Sequence, residues 1–211
     1  MADDVAPCTA SGYLDPSYWD ERFGKEEHYE WFKDFSHFRH LLAPLLSPSL
    51  SVLEVGCGNS RLGEELLREG VTGGITCIDL SPVAVQRMRD RLAEQATSGV
   101  DVVVADMLDL PFESESFDLV IEKGTMDVLF VDSGDPWNPN PTTVYNVTKM
   151  LEATLPSSIF RSTWVYMVCR VEHLWRWLPL FLLHPSEGQK VTRVQRSPNY
   201  ITCCSKLQYA P

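Results

Sequence analysis

Val52-Leu53-Glu54-Val55-Gly56-Cys57-Gly58-Asn59-Ser60 decides the fold class of this chain. A mostly apolar strand runs into two glycines one residue apart, and a helical pattern follows from Arg61. Glycine at 56 and 58 lets backbone pass close beneath a ligand where a Cβ would collide. A helix starting near Ser60 aims unpaired N–H groups at the same spot. This is the layout of a nucleotide-cofactor loop; the alternative is an ordinary turn between strand and helix, and the flanking chain has to decide between them.

Outward from that loop the pattern is regular. Strands are predicted at Ser51 to Val55, Ile75 to Ile78, Val102 to Val104 and Phe117 to Ile121. Helices are predicted at Arg61 to Glu69, Pro82 to Gln95 and from near Thr142 to Leu151. Short apolar strands alternating with helices imply a parallel sheet with right-handed crossovers, an α/β doubly wound architecture. The second helix has Ser81 placed to cap it, Pro82 at its first position, and Val85, Met88 and Leu92 on one face. Arg87, Arg89, Asp90, Arg91 and Glu94 read as its solvated face.

Each strand's carboxyl end carries polar residues, and ligands bind at that edge of such sheets. Asp79 follows Gly58 by 21 residues; an acidic residue about 20 residues on reaches a ribose diol in dinucleotide-binding folds. A carboxylate suits a diol because it accepts from both hydroxyls. The competing role for Asp79 is a helix cap. Ahead of the sheet, Tyr18-Trp19-Asp20-Glu21-Arg22-Phe23 and Tyr29-Glu30-Trp31-Phe32 concentrate six aromatic rings. Two readings stand: amphipathic turns covering the sheet edge, or a lid whose rings flank a cationic ligand. His37 and His40, one helical turn apart without a third ligand, read as a surface helix.

A dinucleotide fold wants a third glycine where Arg61 stands. With Glu54 ahead of Gly56 the loop instead reads E-x-G-x-G, and the set resembles the S-adenosylmethionine-dependent methyltransferases of the Rossmann-like, seven-β-strand class. Tyr18-Trp19-Asp20-x-Arg22-Phe23, Tyr29-Glu30-Trp31-Phe32, Gly56-Cys57-Gly58-Asn59-Ser60, Phe117-Asp118 and Glu122-Lys123-Gly124-Thr125-Met126-Asp127 look like the branch that methylates lysines of translation elongation factor 1-alpha. Met126 stands where relatives usually carry leucine, a tolerable volume exchange. The resemblance covers about residues 13 to 151. It implies S-adenosyl-L-methionine as cofactor, held by Trp19, Phe23, Trp31, Gly56, Gly58, Asp79, Leu80, Asp106, Met107 and Lys123. It also implies in-line attack of a neutral lysine amine on the sulfonium methyl, with Asp127 the candidate proton acceptor; the competing role for Asp127 is to cap the next turn.

Composition narrows the partners. Eighteen basic against 29 acidic residues give a formal charge of −11, which disfavours nucleic acid and anionic membranes and suits a basic protein substrate such as elongation factor 1-alpha. Six cysteines without framework or zinc spacing read as reduced thiols. Met1-Ala2-Asp3-Asp4 shows no basic region leading into an apolar one, and the run Leu174 to Leu183 is too short to span a bilayer. A cytoplasmic protein is expected, and the sequon at Asn146 is then a chance match.

Residues 1–14 are expected as a flexible lead-in, 15–151 as a partial methyltransferase domain and 152–211 as an aberrant tail, irregular or weakly structured. The tail shows no sustained period, so the sheet is expected to lack its last strands and to leave Phe117 to Ile121 as an unpaired edge. A forward shift of one base turns Met167-Val168 into tryptophan, because ATG followed by G reads TGG, and turns Trp175 and Trp177 into glycine. With permissible codons elsewhere the shifted tail spells Trp-Ser-Val-Glu-Trp-Ser-Thr-Phe-Gly-Asp-Gly-Phe-His-Tyr, which resembles the family's C-terminal strands. An out-of-frame tail, from alternative splicing or an error in the gene model, is the expectation. The rival readings of function are a methyltransferase for another protein or a small molecule, and a catalytically inactive isoform.

Overall fold

The computed structural model describes residues 6–27, 30–31, 33–113, 116–135, 138–154, 160–168, 189–197 and 200–207 of the chain. In chain order the elements are α1 (Pro16–Lys25), α2 (Phe35–Leu42), β1 (Val52–Val55), α3 (Leu62–Arg68), β2 (Ile75–Asp79), α4 (Pro82–Glu94), β3 (Val100–Val104), β4 (Phe117–Lys123), α5 (Thr125–Leu129), β5 (Gly134–Asp135), β6 (Asn138–Pro139), α6 (Pro141–Thr154), β7 (Phe160–Val168), β8 (Gln189–Ser197) and β9 (Tyr200–Leu207). Local chemistry starts the helices. Asp15 and Asp34 each accept an N–H two residues on, at 2.9 and 3.0 Å, and Ser81 Oγ accepts the Ala84 N–H at 3.2 Å with Pro82 behind it.

The main sheet runs β3-β2-β1-β4-β7-β9-β8, with β3 through β7 parallel and β9 antiparallel to both its neighbours. The chain steps outward from β1 to β3 and returns to the other side of β1 as β4. That reversal opens a crevice beyond the carboxyl ends of β1 and β4, where open α/β sheets take their ligands. All four residues of β1 are buried, as a central parallel strand covered on both faces requires. One face packs Phe38, Leu42, Leu66, Ile75 and Met88 together, and the other Leu53, Ile78, Val120, Met126 and Met150. The α/β doubly wound reading holds, and the predicted strand and helix limits from 51 to 154 agree to within three residues.

Within 152–211, the stretch expected to be irregular, backbone pairing forms β7, β8 and β9. β4 pairs with β1 on one side and with β7 on the other, and β9 pairs antiparallel with both β7 and β8. Residues 155–159, 169–188, 198–199 and 208–211 of the tail lie outside the described residues.

The charged face of α4 is solvated at Arg89, Asp90 and Glu94, as read from the sequence, and its arginines also reach other elements. Arg89 donates to the Val102 carbonyl at 2.9 and 2.6 Å, Arg91 pairs with the buried Glu64 at 2.8 Å, and Arg87 bonds the Glu26 carbonyl at 3.2 Å. Guanidinium groups carry long apolar stems, so they bridge to backbone while their sequence pattern looks solvated. His37 and His40 are exposed on α2, with His37 Nδ1 3.0 Å from Asp34. Cys57 and Cys77 are buried free thiols and Cys8 an exposed one. No helix among the described residues is long and apolar enough to cross a membrane.

Candidate functional site

The turn after β1 depends on left-handed backbone, with φ +66° at Gly56 and +54° at Gly58; Gly124, after β4, has φ +82°. Only glycine takes such values without strain. The missing side chains make room for protein. A Cβ at Gly56 would run into Thr125, one at Gly58 would stand 2.9 Å from the Phe23 ring, and one at Gly124 would stand 2.5 Å from the Trp31 ring. Gly56 and Gly58 thus admit α5 and the Phe23 ring, and Gly124 admits the Trp31 ring, while both loop glycines also line the cavity between them.

Carboxylates organise the strand ends. Asp79 Oδ2 accepts the Gly58 N–H at 2.7 Å and Oδ1 the Ser81 N–H at 2.8 Å, so one side chain ties the β1 loop to the end of β2. Ser81 supplies the side-chain cap of α4, which removes the cap role considered for Asp79. Burial pushes the Asp79 carboxyl upward. Glu54 is buried in β1, accepting from Ser60 Oγ at 3.0 Å and from the Cys77 thiol at 3.3 Å; burial raises its pKa to about 7. Glu122 caps α5 by accepting the N–H groups of Thr125 and Met126, the latter at 2.8 Å. Burial first, and the Asp127 charge second, raise it to about 8.

These two raised acids set a direction for stability against pH. An unfolded glutamate titrates near 4.3. Between there and the folded values of about 7 and about 8 the native state holds protons that the unfolded chain has lost. Their contribution to stability therefore falls as pH rises through that window and is level above it. Glu122→Gln keeps an acceptor oxygen for the two N–H groups and removes the titration. Its melting temperature is expected to decline less than wild type from pH 5 to pH 8. Parallel melting curves for both proteins would reject the assignment.

The aromatic segment covers the crevice. Trp19 stacks on Phe23 with ring centres 5.7 Å apart, and Tyr13 packs against both Trp19 and Trp31 at 5.8 Å. Trp19 Nε1 donates to the Tyr13 carbonyl at 2.8 Å. The segment is tied down by Ser81 Oγ donating to Asp20 at 2.5 Å and by Asn59 Nδ2 donating to the Glu26 carbonyl at 2.9 Å. Of the six rings noted in the sequence, Tyr18, Trp19, Phe23 and Trp31 are among the described residues, while Tyr29 and Phe32 lie outside them.

Beneath that cover lies a cavity of about 310 Å³, at the lower end of the range for small-molecule sites. Trp19, Phe23, Trp31, Gly56, Gly58, Asp79, Leu80, Asp106, Met107 and Lys123, all ten residues expected around a cofactor, line it. Asp127 does not: Thr125, Val128 and Leu129 of α5 line the cavity, while the Asp127 carboxylate acts on Glu122. The successive residues of a short helix point around its axis, so a position two after Thr125 turns away from the cavity. Lys123 touches the cavity but its ammonium is engaged by Glu30 at 3.2 Å and by the Trp31 carbonyl at 2.9 Å. Tyr13, Glu54, Thr125 and Asn146 also line it. Glu54 was legible as part of E-x-G-x-G, whereas Tyr13 lies outside every motif and Asn146 was noted only as a chance sequon.

Comparison with known proteins gives a consistent answer. A family model described as "Methyltransferase domain" matches residues 46–202. "EEF1A lysine methyltransferase 4" of Bos taurus is 41% identical over 143 residues, covering 66% of this chain and 55% of that protein. The protein of the same name from Mus musculus is 40% identical over 142 residues, covering 66% and 54%. The chain thus spans just over half the length of these relatives. Among solved structures, a SAM-dependent methyltransferase from Aquifex aeolicus aligns with a TM-score of 0.62 at 15% identity, over 92% of this chain and 99% of that one, a likeness of fold.

Proposed function

Because the chain belongs to the S-adenosylmethionine-dependent methyltransferases, we propose that it transfers a methyl group from that cofactor to a lysine side chain of translation elongation factor 1-alpha. The observation that carries the reading is the meeting, around one cavity, of a carboxylate at the end of β2, a glycine loop after β1 and aromatic rings from Tyr13 to Trp31. Relatives named for methylation of that acceptor carry its finer part.

The residues present fit the cofactor. Asp79 spends one acceptor site per oxygen on Gly58 and Ser81, and a carboxylate has about four, so acceptors remain for a ribose diol. Exposed Asp106 stands beside Met107 at the mouth, an acceptor next to an apolar surface, as an adenine requires. Trp19, Phe23, Tyr13 and Trp31 offer ring faces to a cation, worth about 0.5–2 kcal/mol each where water is excluded. The bound cofactor supplies an electrophilic sulfonium methyl. The protein's part is to position the amine, to exclude water, and to present Asp79 at the cavity wall. Lys123 adds no free positive charge, since Glu30 answers it.

The acidic surface suits a basic acceptor protein, and a cytoplasmic setting accords with that partner. Incubating the chain with S-adenosylmethionine and recombinant elongation factor 1-alpha, then mapping lysines by mass spectrometry, is expected to show a mass gain of one or more methyl groups. An unmodified factor with verified cofactor binding would favour a different acceptor; absent cofactor binding would favour the inactive-isoform reading. The out-of-frame origin of residues 152–211 belongs to the same proposal, and transcript sequence encoding no family-like strands in the shifted frame would end it.

A further inference from the structure

We propose that Glu30 is a positioning residue that latches the aromatic cover onto both loops flanking the cavity; this rests on the cofactor reading above. The carboxylate has two engagements. Oε1 accepts the backbone N–H of Arg61, just after the glycine loop, at 2.8 Å, and Oε2 stands 3.2 Å from Lys123 Nζ at the end of β4. Lys123 Nζ also donates to the carbonyl of Trp31 at 2.9 Å. With side-chain exposures of 8% for Lys123 and 18% for Glu30, the pair is shielded from water and salt, and loss of either member strands the other's charge.

The latch sets Trp31. Its ring occupies the space a Cβ on Gly124 would take, 2.5 Å away, and packs on Trp19 at 5.7 Å and Tyr13 at 5.8 Å, both lining the cavity. At the other end of the segment the Glu26 carbonyl is held by Asn59 and Arg87. Glu30 and Lys123 also act on the Glu54 carboxyl in opposite senses, which places the latch against the cavity wall. No step of methyl transfer uses Glu30. Its work is to hold the cover closed, and a ligand that touches Trp19, Trp31 and the loop glycines together binds the closed arrangement better and so favours it.

The test uses the full chain. Glu30→Gln keeps an oxygen for Arg61 and removes the attraction for Lys123; Lys123→Arg keeps the cation and Lys123→Met removes it. Acrylamide quenching of tryptophan fluorescence without cofactor is expected to rise for E30Q and K123M and to stay at the wild-type level for K123R. Where the closed form falls to about a tenth of molecules, S-adenosylhomocysteine affinity falls about tenfold, seen as faster release in stopped flow. For E30Q, KM for the cofactor rises while kcat holds. The double variant E30Q/K123M, which leaves no stranded charge, is expected to match E30Q in quenching with a melting temperature near wild type. Quenching and release unchanged in E30Q, or a lower melting temperature with both unchanged, would overturn the latch. Should the wild type bind no S-adenosylmethionine, the cofactor reading fails, and the quenching comparison still decides the latch.

Discussion

Asp79→Asn is expected to weaken S-adenosylmethionine binding about a hundredfold while leaving the fold in place. On the proposed reading a ribose diol would donate two hydrogen bonds to this carboxylate; bonds to a charged acceptor are worth about 1.5–3 kcal/mol each, so losing the charge and one acceptor oxygen would remove about 3 kcal/mol, or two decades in Kd. The stability cost runs the other way. Burial already disfavours the Asp79 anion, so a neutral side chain of the same shape relieves desolvation, while one of the Gly58 and Ser81 N–H groups loses its acceptor. Calorimetric titration and a melting curve on the same sample separate the two effects. An affinity within threefold of wild type would show that Asp79 serves only to fasten the loop.

Gly56→Ala is expected to lower the melting temperature by about 10 °C and to abolish cofactor binding. Left-handed backbone costs an L-residue about 1–2 kcal/mol, and φ at Gly56 is +66°. The new methyl also meets Thr125, whose hydroxyl donates to the Val55 and Gly56 carbonyls at 3.3 and 3.4 Å at the start of α5. Overpacking adds about 1–3 kcal/mol. The sum, about 2–5 kcal/mol, is a large part of a stability near 5–15 kcal/mol, and each kcal/mol moves a domain of this size by about 2–4 °C. Gly70→Ala is the control: φ is +91° there with nothing within 4 Å of a Cβ, so backbone strain acts alone and the drop should be about a third as large. Equal drops for the two variants would show that Thr125 yields freely.

The parts of the molecule governed by short-range pattern were readable in the chain. β1, β2, α4 and β4 announce themselves through buried apolar runs, helical spacing and Ser81-Pro82, and the glycine loop with Asp79 locates the crevice because strand ends and switch point follow from the order of elements. All ten expected cofactor residues gather at one cavity for that reason. Contacts made across the chain were not readable. The five residues of α5 are too few to show a period, so which of them face inward was open. Thr125 filling the space beside Gly56, and Arg91 reaching Glu64, depend on crossings that no local spacing encodes. β7 pairs with β4 and β9 although Phe160–Val168 shows no period of two in the chain.

The most direct test of the whole account is calorimetric titration of the intact chain with S-adenosylmethionine, with Asp79→Asn beside it. The account predicts saturable binding at one site per chain, about a hundredfold weaker in the variant. No saturable heat from a wild-type protein that melts cooperatively, or equal binding by both proteins, would contradict it.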